Sequence, residues 1–247
     1  MPCTLPASLA DAAVCRGSFH AVLGGEAGEA VFADFSAALQ KAQVEGRILT
    51  ASLFRYENHL FFYAEGLNRP FTPQGLCPAL DAALLPWPPA LGEAAPRPWA
   101  AMQPYFYHDV PTTAADWQRG RCPQRRRGRI ALLPPDSWCS YMEHHLRIVT
   151  EGLVEGDRWH LICVQEGVLF SYLEEPRTNV NIKHRPGAHS PELDAWIAAD
   201  PESHFARFTP EQKAHPDSGH NFVFLPRIAG TEDLSLIHIS EPTRPIS

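Results

Sequence analysis

Two residues in the C-terminal half have the chemistry and spacing to move a proton. In "PPDSWCSYMEHH" (Pro134–His145), Tyr141 and His145 stand four residues apart, so on a helix they share one face. Imidazole titrates near neutral pH and can take or give a proton there. A phenol beside it can donate a hydrogen bond while staying neutral. The plainer reading is that both side chains line a core. A buried polar group without a partner costs roughly 1–3 kcal/mol, so even that reading demands a hydrogen-bonding reason for each.

The other reactive side chains are scattered. Cys3, Cys15, Cys77, Cys122, Cys139 and Cys163 form no C-x-x-C pair and are expected as reduced thiols rather than disulfides or a zinc site. His144 and His145 point to different faces of a helix. No H-x-x-x-H or histidine–carboxylate spacing stands out, so no metal is expected, and the proton chemistry needs no organic cofactor. The stretch "WQRGRCPQRRRGR" (Trp117–Arg129) carries six arginines and reads as a solvated linker rather than an anion-binding patch. The polar loop before the second helix, "NVNIKHRPGAHSPELDAW" (Asn179–Trp196), reads as a surface insertion rather than a lid supplying Lys183, His184 or Arg185.

The elements that must position Tyr141 and His145 occur twice. Glu57, Leu60, Phe61, Tyr63 and Glu65 in "YENHLFFYAE" match Glu166, Leu169, Phe170, Tyr172 and Glu174 in "QEGVLFSYLE". "VEG" (Val44–Gly46 and Val154–Gly156) precedes each, and "PALDA" (Pro78–Ala82) and "PELDA" (Pro191–Ala195) follow. A repeat of this length is the mark of a duplicated unit. Each copy reads as a short strand ("FHAVL", "RIALL"), a helix with apolar residues at helical spacing, a hairpin turning at E-N or E-G, a second helix and a last strand. That order, βαββαβ, is the ferredoxin-like unit. The expected fold is therefore α+β: two ferredoxin-like repeats forming a fused, dimeric α/β-barrel-like pseudo-dimer. Its divisions are an N-terminal extension over 1–17, repeat 1 over 18–116, the Arg-rich linker over 117–128 and repeat 2 over 129–230. Aligned on "VEG", Tyr141 and His145 fall opposite Val31 and Phe35, or opposite Phe32 and Ser36 with one residue of slip. Repeat 1 thus has no such pair.

"RIALLPPDSWCSYMEHH" is similar to the start of the L-rhamnose mutarotase family and of related L-fucose mutarotases, small ferredoxin-like proteins that form dimeric α/β barrels. The resemblance runs over about residues 129–226, through "VLFSYLE" to "NFVFLP". It implies that Tyr141 and His145, behind Pro135 and Asp136, are catalytic. It further implies an aldose mutarotase acting on a deoxy-hexose, with His145 taking a proton from the anomeric hydroxyl and returning one to the ring oxygen. Where the family has an Arg-Trp-Trp stretch lining the sugar, this chain has Arg207 and Phe208, and repeat 1 offers Arg97 and Trp99. These four become candidate substrate-binding residues. The alternative is a non-catalytic module of the same fold that binds a sugar or another small molecule.

Composition narrows the partners. The chain has 247 residues, 45% of them hydrophobic, and a net charge of −7, which speaks against nucleic acid or an anionic membrane as partner. The 24 prolines cluster in Leu84–Trp99 and around 123–136 and mark loops. The N-terminal stretch lacks a basic start and an unbroken apolar core, so no secretory leader is expected and the location reads as cytoplasmic. "LSLIHISEPTR" resembles a translated sequencing-library adapter, and residues 234–247 read as a non-native tail.

Overall fold

The computed structural model describes residues 5, 7–120, 122–152, 154–177, 183–184, 187–213 and 218–232. The expected non-native tail and Arg185 of the expected insertion lie outside them. The elements run β1 (Val14–Val22), α1 (Glu29–Val44), β2 (Ile48–Tyr56), β3 (His59–Leu67), α2 (Pro78–Ala82), β4 (Ala100–Ala101) and β5 (Gln103–Phe106). Then come β6 (Arg125–Leu132), α3 (Pro135–Glu151), β7 (Val154–Glu155), β8 (Leu161–Gln165), β9 (Val168–Glu175), β10 (Lys183–His184), α4 (Pro191–Ala198), β11 (Val223–Leu225) and β12 (Arg227–Gly230).

The strands form two five-stranded antiparallel sheets, ordered β12-β2-β3-β1-β4 and β11-β6-β9-β8-β5. Tight turns set the register of both central hairpins. Glu57 sits at φ 53° in one, and Glu166 and Gly167 sit at 50° and 77° in the other; positive φ here matches the turn to the strand twist. Each unit's last strand begins in its own sheet and ends in the other. Ala101 pairs with Phe19 while Gln103 pairs with Val164. Leu225 pairs with Gly128 while Arg227 pairs with Phe54.

Helices cover the outer face of each sheet, and the inner faces meet. β2 and β3 are therefore buried along almost their whole length. Between the sheets, the residues matched by the internal repeat touch their own counterparts. The Phe61 and Phe170 rings stack at 5.4 Å, and Tyr63 and Tyr172 at 3.7 Å. Arg119 reaches both Glu65 (2.7 Å) and Glu174 (2.5 Å). A residue meeting its own counterpart is the signature of a two-fold interface, here within one chain.

Three expectations change. Arg119 is not a solvated linker residue: its side chain is 10% exposed, because the two carboxylates draw it in. β6 starts at Arg125, four residues before Arg129, and β1 starts at Val14, inside the expected N-terminal extension. Cys122 is disulfide-bonded, while Cys15, Cys77, Cys139 and Cys163 are free. No helix among the described residues is long and apolar enough to cross a membrane.

Candidate functional site

α3 places the candidate pair. Pro135 at its first turn fits a position where no amide donor is needed, and Gly152 at φ 65° ends it in the left-handed conformation. Its buried face is Tyr141, His145 and Ile148. α1 buries Phe35, Leu39 and Ala42 at the same spacing. The counterparts of Tyr141 and His145 are thus Phe35 and Leu39, not Val31 and Phe35 or their neighbours. The shift arises because the strand-to-helix loop spans residues 23–28 in the first unit and only 133–134 in the second.

The two side chains are packed together. Their rings are 4.3 Å apart, and the His145 Nδ1 lies 3.0 Å from the Tyr141 carbonyl oxygen. Nδ1 therefore carries the proton and donates it, leaving Nε2 as an acceptor. Burial drives the His145 pKa down to about 4, against the helping backbone bond and with His144 and His204 adding to the depression. Burial likewise pushes the Tyr141 phenol up. At neutral pH both are uncharged. Trp196 of α4 stands 4.6 Å from His145 and 5.2 Å from Tyr141. Phe205 lies 5.0 Å from Tyr141, and Phe106 lies 4.9 Å from His145.

A second set of polar groups shares this interior. Arg129, Ala131 and Leu133 alternate along the helix-facing side of their chain segment. The Arg129 guanidinium lies 4.2 Å over the Phe222 ring, and its Nε is buried without a partner. Burial pulls its pKa down to about 10. His160 is 6% exposed, with its Nε2 also unpartnered. Burial first, then the charge of Arg129, holds it neutral. Tyr105 contacts both His145 (5.6 Å) and Tyr141 (6.3 Å), and burial raises its phenol.

The first unit fills the same space with hydrocarbon. Phe35 packs on Phe62 at 5.8 Å and on Trp99 at 6.3 Å, around Leu39 and Leu80.

Of the six candidate residues, the structure brings together only Tyr141 and His145. Trp99 belongs to the first unit's core, its indole donating to Asp81 at 2.9 Å. Arg97 is tied by backbone bonds to Trp87 and sits 3.8 Å from Glu93. Arg207 is exposed, and Phe208 packs between the sheets, 6.2 Å from Tyr56. Phe205, Tyr105, Phe106, Trp196, Arg129 and His160 stand at the site unannounced by any motif. Trp196 was visible on an amphipathic helix. Tyr105 and Phe106 were not, because they come from the strand that crosses from the first unit. Among the described residues, no group of three or more His, Cys, Asp or Glu side chains converges as a metal site would.

Neither a family model nor a curated protein matches the chain. Solved structures with a similar arrangement include a protein provisionally named a monooxygenase from Fusobacterium nucleatum (9% identity, 89% of this chain and 94% of that one, TM-score 0.38). Another, so named, is from Lactobacillus acidophilus (5%, 90% and 97%, TM-score 0.40). A third is an anthrone oxidase-like protein (6%, 93% and 94%, TM-score 0.36). At these identities and scores the likeness carries no activity to this chain. The expected family is corrected by the other two comparisons: neither a family model nor a curated protein supports the L-rhamnose mutarotase resemblance, and the solved structures found bear other names. The mutarotase reading is withdrawn, together with the isomerase activity and the deoxy-hexose substrate that followed from it.

Proposed function

We propose that the chain is a small-molecule-binding protein built from two fused ferredoxin-like units of the dimeric α/β-barrel type. Its ligand is held in the C-terminal unit between α3, α4 and the sheet. The observation that supports this most is the difference between the two interiors. In the first unit Phe35, Leu39 and Trp99 fill the space, so the fold needs nothing polar there. In the second, two phenols, two imidazoles and a guanidinium occupy it, with Arg129 Nε and His160 Nε2 unpartnered. Buried donors and acceptors without partners oppose folding; a ligand that satisfies them is the reason to keep them.

The test is a double variant, Tyr141→Phe with His145→Leu, which installs the first unit's own residues. Ligand binding is followed by NMR through the Trp196 indole and the His160 ring on titration with small aromatic and polar fragments. The expected result is fragment-dependent shifts in the native protein, weakened at least about tenfold in a variant that melts no lower. Absence of any responding fragment, or a variant that binds as well as the native chain, would overturn the proposal.

A further inference from the structure

We infer that the ligand of this C-terminal site carries a carboxylate and that Arg129 is its anchor, an assignment that rests on the binding role proposed above. Arg125 and Arg127 lie 3.9 and 3.0 Å from Glu175, and Arg126 donates to the Thr231 carbonyl at 3.5 Å. Arg127 stacks on Phe224 much as Arg129 stacks on Phe222. Arg129 differs in that, among the described residues, it has neither a carboxylate nor a carbonyl partner. Its Nε is buried and unbonded while the residue as a whole is half-buried, and taking even part of a cation out of water without a paired counter-charge is unfavourable.

Among the described residues, no other side chain of the site fills that place. Glu202 is the carboxylate whose charge acts on Arg129, but it makes no ion pair with it and is held by the side chain of Asn221. Tyr105 and Tyr141 are kept protonated by burial, so they donate. His145 and His160 are neutral. Ser171 is buried directly opposite Arg129 in the β6–β9 register. Among the described residues the interior thus sets the Arg129 guanidinium beside several neutral hydrogen-bonding groups, with Phe106, Phe205 and Trp196 packed against Tyr141 and His145. A planar anion of single charge fits this set, because a guanidinium binds a carboxylate through two parallel N–H bonds. A phosphate dianion asks for a second cation, and the neighbouring Arg177 is already paired with Asp157 at 3.3 Å.

Benzoate and benzamide make a matched pair of probes, of one shape and differing in charge. Titrated into the native protein by NMR or calorimetry, benzoate is expected to bind at least about tenfold tighter. In Arg129→Met the preference disappears while both probes still bind weakly, and in Arg129→Lys part of it returns. The unliganded Arg129→Met protein is expected to melt no lower than native, since it loses an unpaired, half-buried charge. Equal binding of the two probes to the native protein overturns the anion assignment and leaves the binding site standing. A preference that survives Arg129→Met overturns Arg129 as the anchor. If neither probe shifts the Tyr141, His145 or Trp196 resonances, the site itself falls with it.

Discussion

His145 shows what burial does to one residue. Its imidazole is 5% exposed, and its pKa is held at about 4 rather than 6.5. His20, in the first unit's sheet, behaves alike. It is bonded to Gln165 at 2.5 Å and to His59 at 2.8 Å, and its pKa is driven to about 4, mainly by burial. A depressed histidine pKa means that between these two values the unfolded chain binds a proton that the native chain refuses. Stability is therefore fully present above about pH 6.5 and is lost as pH falls toward about 4, below which both states are protonated. At 1.36 kcal/mol per unit, each imidazole contributes up to about 3 kcal/mol to that loss. The urea midpoint should drop steeply between about pH 7 and about pH 4. His145→Leu should remove part of the drop while raising the low-pH midpoint. An NMR titration should show the His145 ring still neutral at about pH 5, and a ring titrating near 6.5 would contradict the burial argument.

At the scale of elements, the close approach of the two sheets is set by small residues as much as by aromatic ones. A Cβ placed on Gly128 would lie 2.6 Å from the Phe54 ring of the facing sheet. Gly128→Ala should therefore cost about 1–3 kcal/mol, the usual penalty for overpacking, whereas Gly25→Ala, which meets nothing within 4 Å, should leave the midpoint nearly unchanged. Denaturant unfolding of the two variants checks the contrast. The hairpins that carry these strands were legible in the sequence, because period-two apolar patterns around E-N and E-G are local signals. The amphipathic face of α3 was legible for the same reason, and it led to Tyr141 and His145. What local pattern could not reveal was the exchange of last strands. Tyr105 and Phe106 look like the end of one unit, yet they pair with β8 of the other. The helix register departs from the "VEG" alignment for a related reason: the loop ahead of α1 is longer than the one ahead of α3. The family resemblance rested on a strand, Pro-Asp and a Tyr/His spacing, all of which an unrelated helix-on-sheet unit can supply.

At the scale of the whole molecule, one arginine ties the halves together. Arg119 makes two bonds to Glu65 (3.2 and 2.7 Å) and two to Glu174 (2.5 and 2.7 Å). Tyr63 and Tyr172 donate to the same two carboxylates at 2.8 and 2.7 Å. The sequence displayed Glu65 and Glu174 as matched positions and Arg119 as one charge in a basic run. Their meeting was invisible because the partners lie more than fifty residues apart, one in each unit. Burial would push the Glu65 carboxyl up, but Arg119 outweighs it and holds it below its ordinary range. The arrangement also explains why both units need the same Tyr-x-Glu: a single guanidinium on a pseudo-two-fold position can serve two carboxylates only if they come from matching strands. Arg119→Met strands two buried carboxylates and should cost about 3–5 kcal/mol, the range for breaking a buried ion pair from one side. Adding Glu65→Gln and Glu174→Gln to that variant neutralises both and should restore most of the loss, although each Gln alone in the native background is destabilising. That reversal of sign is what separates a charge network from simple packing. Urea midpoints of the single, double and triple variants measure it directly, and a triple variant no more stable than Arg119→Met would show that Arg119 acts through its shape and not its charge.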